Sequence, residues 1–258
     1  MSRLKVALVQ AELRWADAQA NRSHLAELMD RSPGADLYVL PETFTTGFLG
    51  DAEGVAEPYD GPTLAWMRAE SRSRSAALAG SVALSDGEGQ RRNRMIFMPP
   101  DGEPAWYDKR HLFSYGGEDE RYTAGSAHKL VNWRGWRIDL QICYDLRFPV
   151  WCRNDRDFDL QLFVANWPSP RVEAWRLLLQ ARAVENQAFV IGVNRSGQDG
   201  KGVAYPGRSV AIDGLGERML ELGTAEAVET VMLDLKALHA LRETLPFLRD
   251  RDRFTLDC

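Results

Sequence analysis

The chain has 258 residues, 45% hydrophobic and 27% charged, the balance of a globular protein able to bury roughly three quarters of its unfolded surface. A net charge of -5 and a pI near 5.5 supply no basic footprint for nucleic acid or an anionic membrane, and no apolar run approaches the ~18 residues of a membrane span. Cys143, Cys152 and Cys258 are an odd set without framework spacing, His24, His111, His128 and His239 lack metal-ligand spacing, and Ser2-Arg3-Leu4-Lys5 opens no apolar signal segment, so a cytoplasmic protein without a bound metal is expected.

Residues 4–10, apolar nearly throughout, read as a strand covered on both faces. Asp17 caps a predicted helix that turns Leu25, Leu28 and Met29 to one side and ends by Pro33-Gly34. A second strand, 36–40, runs into Pro41-Glu42 and leaves a carboxylate just past its C-terminal end, where open α/β sheets place their ligand crevices. After a loop with Gly47, Gly50 and Gly54, Pro62 opens a helix through Trp66 and Met67, and residues 76–84 return as a strand.

The rhythm then changes. Residues 95–98 and 105–107 flank the turn-forming Pro100-Asp101-Gly102, a hairpin that makes the sheet mixed and exits into Asp108-Lys109-Arg110-His111. Residues 114–125 hold Tyr115, Gly116, Gly117, Glu118, Asp119 and Glu120 without apolar periodicity, as a loop over or beside a pocket would. Residues 130–133 and 136–138 bracket Arg134-Gly135 as a second hairpin.

The outgoing strand of that hairpin stops at Cys143, and Pro149 sits where a helix could begin. Cys143 is therefore expected at a strand-to-helix turn, where a helix N-terminus or a nearby cation favours the nucleophilic thiolate; a buried structural cysteine is the plain alternative. A strand over 160–165 ends at Asn166-Trp167-Pro168, and Ser169 and Pro170 suit the N-cap and first position of a long helix that buries Trp175, Leu178 and Leu179. Residues 189–194 form a further strand, 209–212 and 218–220 a third hairpin, 228–233 a strand and 235–242 a last helix. Gly197 and Gly200 to Gly202 read as turn formers, and 246–258 carries no clear period. Without an internal repeat or linker, one α/β domain with mixed sheets spans residues 1–258. There is no G-x-G-x-x-G or G-x-x-x-x-G-K-[ST], so no dinucleotide or P-loop phosphate site is expected.

Three strand ends carry Glu42, Lys109 and Cys143. Brought to one sheet edge they form a coherent set: a carboxylate takes the thiol proton, the sulfur attacks a carbonyl carbon and an ammonium steadies the oxyanion. Pro41-Glu42, Asp108-Lys109-Arg110 and Cys143-Tyr144-Asp145-Leu146-Arg147-Phe148-Pro149 resemble the three ordered signatures of the nitrilase superfamily. Asn166-Trp167-Pro168, the stretch 180–187 and Val193-Asn194-Arg195 are similar to its omega-amidase-like branch.

The resemblance implies a four-layer α-β-β-α sandwich with two mixed β-sheets, a homodimer joined through one helical face or a higher homo-oligomer, and no cofactor. It makes Cys143 the nucleophile, Glu42 the general base, Lys109 the oxyanion partner and Glu118 a further active-site glutamate, with Asp119 and Glu120 beside it. The Tyr144 backbone N–H is the candidate second oxyanion donor. The substrate it implies is a small amide, first a 2-oxo dicarboxylic acid monoamide such as 2-oxoglutaramate. Arg171 and Arg195 are candidates for that substrate's distal carboxylate, and Trp167 for a pocket wall. A carbamoyl-amino-acid amidohydrolase or a true nitrilase would use the same three residues. Two other readings are a Cys143–His111 pair and a binding or scaffold protein without catalysis.

Overall fold

The computed structural model describes residues 2–48, 56–85 and 89–256; Gly50, Gly54 and Cys258 lie outside the described residues. β1 (Arg3–Gln10) is the strand the apolar run predicts, followed by α1 (Ala18–Asp30), whose first turn is capped by Asp17 accepting from the Ala20 N–H at 2.9 Å. β2 (Leu37–Val39), β3 (Glu57–Pro58), α2 (Pro62–Arg74) and β4 (Ala77–Ser85) come next, then β5 (Arg91–Met98) and β6 (Ala105–Asp108) as the expected hairpin. The strand order is β15-β1-β2-β4-β5-β6 with β3 beside β4, where β15 (Ala227–Asp234) returns antiparallel to β1.

A second sheet holds β7 (Leu130–Trp133), β8 (Trp136–Ile142), β9 (Leu160–Ala165), β10 (Phe189–Asn194), β13 (Val210–Ile212) and β14 (Arg218–Glu221), in the order β14-β13-β10-β9-β8-β7. Its centre, β8-β9-β10, is parallel, as is β1-β2-β4 in the first sheet. Between β10 and β13 a small hairpin of β11 (Ser196–Gln198) and β12 (Ala204–Pro206) stands apart.

Alternation along β1 separates the layers. Leu4, Val6 and Leu8 join Trp136, Ile138, Leu140 and Ile142 between the sheets, while Ala7 and Val9 join Leu25, Leu28 and Met29 under the first two helices. On the far side α3 (Val172–Asn186) lays Trp175 and Leu179 over Gly192 of β10, and α4 (Leu235–Thr244) buries Leu235 and Leu238. The result is the four-layer α-β-β-α arrangement with two mixed sheets.

Three local expectations change. Cys143 is followed not by an α-helix at Pro149 but by a short 3-10 turn, Cys143–Arg147, and by further turns. Ser169 and Pro170 do not cap α3 directly: a 3-10 turn, Ser169–Arg171, follows Pro168, and the α-helix begins at Val172. β5 starts at Arg91 rather than Met95. Its polar front half is kept in the ladder by antiparallel pairing with β4, and Arg94 also chelates Asp108 of β6 at 2.6 and 2.7 Å.

Candidate active site

The C-terminal ends of β2, β6, β8 and β9 deliver Glu42, Lys109, Cys143 and Asn166 to one cavity of about 230 Å³. Glu42 is fully buried in the turn after β2. Its Oε1 accepts from Lys109 Nζ at 2.8 Å and from Asn93 Nδ2 at 2.8 Å, and its Oε2 from the Asn166 N–H at 2.8 Å. Each carboxylate oxygen is thus aimed by a fixed donor, one from each sheet.

Lys109 follows β6 and is 1% exposed. Behind it stands Glu118, whose Oε2 accepts from Lys109 Nζ at 2.8 Å and from the Phe113 N–H at 2.7 Å. Asn93 Nδ2 also reaches Glu118 Oε1, at 3.0 Å, so one amide spans both carboxylates. Asp119 and Glu120 are exposed, which leaves Glu118 as the glutamate of that loop in contact with the lysine. It braces Lys109 from outside the cavity lining.

Cys143 has φ +44°, a left-handed backbone that non-glycine residues rarely adopt, and it turns the side chain into the cavity beside Glu42 and Lys109. Burial first, then the Glu42 carboxylate hydrogen-bonded to it, hold the thiol well above its usual range against the opposing pull of Lys109. Of the two influences expected to favour a thiolate, the nearby cation is present as Lys109 and the α-helix N-terminus is not. Burial alone would depress Lys109, but Glu118 and Glu42 outweigh it and keep the ammonium charged.

Phe48, Phe113, Tyr144 and Trp167 wall the cavity. Trp167 belongs equally to the core: it is 3% exposed, its ring lies 5.6 Å from that of Trp175, and its Nε1 donates to Arg171 O at 2.7 Å. Arg171 lines the cavity with its guanidinium 5.2 Å from the centre of the Phe113 ring, and Arg147 does so 5.0 Å from the Trp167 ring. Arg195 does not line it. That side chain is fully buried and donates to the carbonyls of Leu13, Ser196 and Gln198, so it ties loops together instead of meeting a substrate carboxylate.

His111 is not paired with Cys143 either. Its Nδ1 bonds Asp145 Oδ1 at 2.8 Å and its ring stacks on Phe148 at 3.6 Å. Cys152 is buried, with Sγ donating to Asp145 O at 3.1 Å.

Sequence reasoning gave no site role to Asn93, Asn166, Arg147 or the β11–β12 hairpin, which brings Asp199, Lys201, Val203 and Tyr205 to the cavity. The strand-end rule that found Glu42 applies equally to Asn166. No signal marked Asn93, which sits in the polar half of β5.

The family model for carbon-nitrogen hydrolases matches residues 5–243. This chain belongs to the carbon-nitrogen hydrolase family. As a family member it is 48% identical to "Omega-amidase YafV" of Yersinia enterocolitica over 99% of this chain and 100% of that one. It is 32% identical to a "2-oxoglutaramate amidase" of Bacillus subtilis, over 85% of this chain and 86% of the relative. Among solved structures, a carbon-nitrogen hydrolase superfamily protein of Xanthomonas campestris with an arsenic adduct in its active site superposes with a TM-score of 0.97. The two are 47% identical and each is covered completely. The resemblance to the nitrilase superfamily and its omega-amidase-like branch, carried in the sequence by three short motifs, thus extends over the whole carbon-nitrogen hydrolase chain.

Proposed function

We propose that this protein is a single-domain thiol amidohydrolase that cleaves the terminal amide of a short 2-oxo dicarboxylic acid monoamide, 2-oxoglutaramate first, to the acid and ammonia. The observation that carries this reading is the convergence of Glu42, Lys109 and Cys143 at the buried end of a cavity with Arg147 and Arg171 in its lining. The omega-amidase of Yersinia supports the reaction and the 2-oxoglutaramate amidase of Bacillus the choice of substrate.

The chemistry follows from the charge pattern. Burial and the Glu42 carboxylate favour the thiol, and Glu42 takes its proton as Sγ attacks the amide carbon. Lys109 Nζ and the Tyr144 N–H meet the oxyanion, and Glu42 passes the proton to the departing nitrogen, so ammonia leaves and a Cys143 thioester remains. Water, deprotonated by Glu42, adds to the thioester; collapse releases the acid and the sulfur regains its proton. Glu118 and Asn93 keep Lys109 and Glu42 in register through both steps. The guanidinium groups of Arg147 and Arg171 suit the substrate's distal carboxylate.

We further read the working form as a cytoplasmic homodimer. Leu177 and Val184, seven residues apart on α3, are 68% and 50% exposed, and Leu215 of the β13–β14 turn is 56% exposed. Gln180 Nε2 donates to Gly216 O at 2.9 Å, which joins helix and turn into one apolar face of the kind that subunits bury. No described helix is long and apolar enough to cross a membrane.

The deciding measurement is ammonia release from 2-oxoglutaramate by wild type and by Cys143→Ala, with intact-mass detection of a thioester. Release by wild type with an adduct that needs Cys143 supports the proposal. Full turnover by Cys143→Ala refutes it, and carbon dioxide released with ammonia from carbamoyl amino acids would move the substrate class.

A further inference from the structure

The carboxylate of Asp145 is fully buried two residues after the nucleophile, yet it does not face the cavity. Its Oδ2 accepts from the Ile142 N–H at 3.0 Å and from the Tyr107 hydroxyl at 2.8 Å. Its Oδ1 accepts from the His111 N–H at 2.9 Å and bonds His111 Nδ1 at 2.8 Å. These donors come from two different places. Ile142 ends β8 of the six-stranded sheet and immediately precedes Cys143, whereas Tyr107 and His111 lie two residues to either side of Lys109, where β6 leaves the seven-stranded sheet.

We propose that Asp145 is a positioning residue whose carboxylate bolts the segment carrying Lys109 to the turn carrying Cys143, and so sets the distance and angle between ammonium and sulfur. This rests on the reading of Cys143 as nucleophile and Lys109 as oxyanion partner. Two features make such a bolt necessary. The Cys143 backbone is held at φ +44° by only a short 3-10 turn, not by an α-helix. The two segments also belong to separate sheets, so no backbone ladder joins them. The bolt is itself held rigid. Trp151 Nε1 donates to the Tyr107 hydroxyl at 3.0 Å, and the His111 ring lies flat on Phe148, 3.6 Å away.

Asp145→Asn and Tyr107→Phe test this. The asparagine amide turns an N–H2 toward groups that donate, and the phenylalanine removes a hydroxyl that donates to Asp145 and accepts from Trp151 Nε1 and the Arg110 N–H. Three quantities are read: kcat and KM for ammonia release, the pH profile of Cys143 alkylation by iodoacetamide, and Tm. The charged groups facing the thiol are Glu42, Glu118 and Lys109, and both variants retain them.

The bolt predicts a kcat loss on the order of 100-fold for Asp145→Asn and about tenfold for Tyr107→Phe, with KM changed less than about threefold. The alkylation midpoint moves upward in both, because Lys109 no longer pulls as strongly on the thiol. A lower Tm with wild-type kcat per folded molecule and an unmoved alkylation midpoint would reduce Asp145 to a structural residue and overturn the proposal. If Asp145→Asn does not fold, Tyr107→Phe decides alone. Should wild type cleave no amide, the proposed function fails, while the alkylation midpoints still decide the bolt.

Discussion

At the residue scale, charge placement decides both recognition and stability. Arg171 lines the cavity, so Arg171→Ala should raise KM for 2-oxoglutaramate on the order of 10- to 100-fold, the worth of a charge-assisted pair, and leave KM for an uncharged short amide nearly unchanged. Equal effects on both substrates would take Arg171 out of the binding site. Asp139 shows the opposite economy. Burial pushes its carboxyl up to about 6, outweighing Arg156 and hydrogen bonds from Gln141 and Gln161. A raised carboxyl favours the protonated folded state. The stability that this one carboxyl contributes is therefore fully present below its ordinary range and is lost as pH rises toward 6, to a full cost of about 3 kcal/mol above it. Asp139→Asn keeps an acceptor for both glutamines and drops the charge. Its urea midpoint should exceed that of wild type at pH 8, and the gap should close by pH 4; a gap independent of pH would show that Asp139 ionises freely in the folded protein.

At the element scale the sheet-helix contact at Gly192 is the tightest constraint on α3. A Cβ built there would stand 2.5 Å from Leu179 Cδ1 and 2.8 Å from Trp175 Cζ2. Gly192→Ala should cost about 1–3 kcal/mol and lower Tm by about 2–4 °C for each of them, in a calorimetric melt. An unchanged Tm would mean that α3 does not press on β10 there. Such contacts are invisible in the chain, but the elements that make them were largely readable. Apolar runs such as 4–10 and 189–194 are long enough to announce strands buried on both faces, and Asp17 announced its helix because a cap is a local hydrogen bond. What escaped was set by partners far away. Residues 91–94 are a strand because they pair with Val82 to Ser85 of β4, not because of any apolar period, and β11 and β12 are too short to carry one. The same division runs through the site. Glu42, Lys109 and Cys143 were marked by strand ends, whereas Asn93 acquires its place only when β5 pairs with β4, and Arg195 is drawn away by the carbonyls of Leu13 and Gln198.

At the scale of the whole molecule, two sheets are stacked so that an acid from one and a cysteine from the other share a cavity. Asn166 of the six-stranded sheet locks the side chain of Glu42 from the seven-stranded one. This stacking leaves α3 as an outer layer with Leu177 and Val184 facing outward, beside Leu215. Three exposed apolar side chains on one face are not accounted for by the chain's own packing, and the proposed homodimer would bury them in an interface of at least about 1,000 Å². Leu177→Glu combined with Val184→Glu sets four charges against each other across a two-fold axis, since each substitution recurs on both subunits. Sedimentation velocity should then show a wild type at twice the 29.1 kDa chain mass and a variant at the chain mass itself. The variant's far-UV circular dichroism should remain that of wild type, because neither side chain contributes to the core. A variant that sediments like wild type would place the subunit contact, if there is one, on another face.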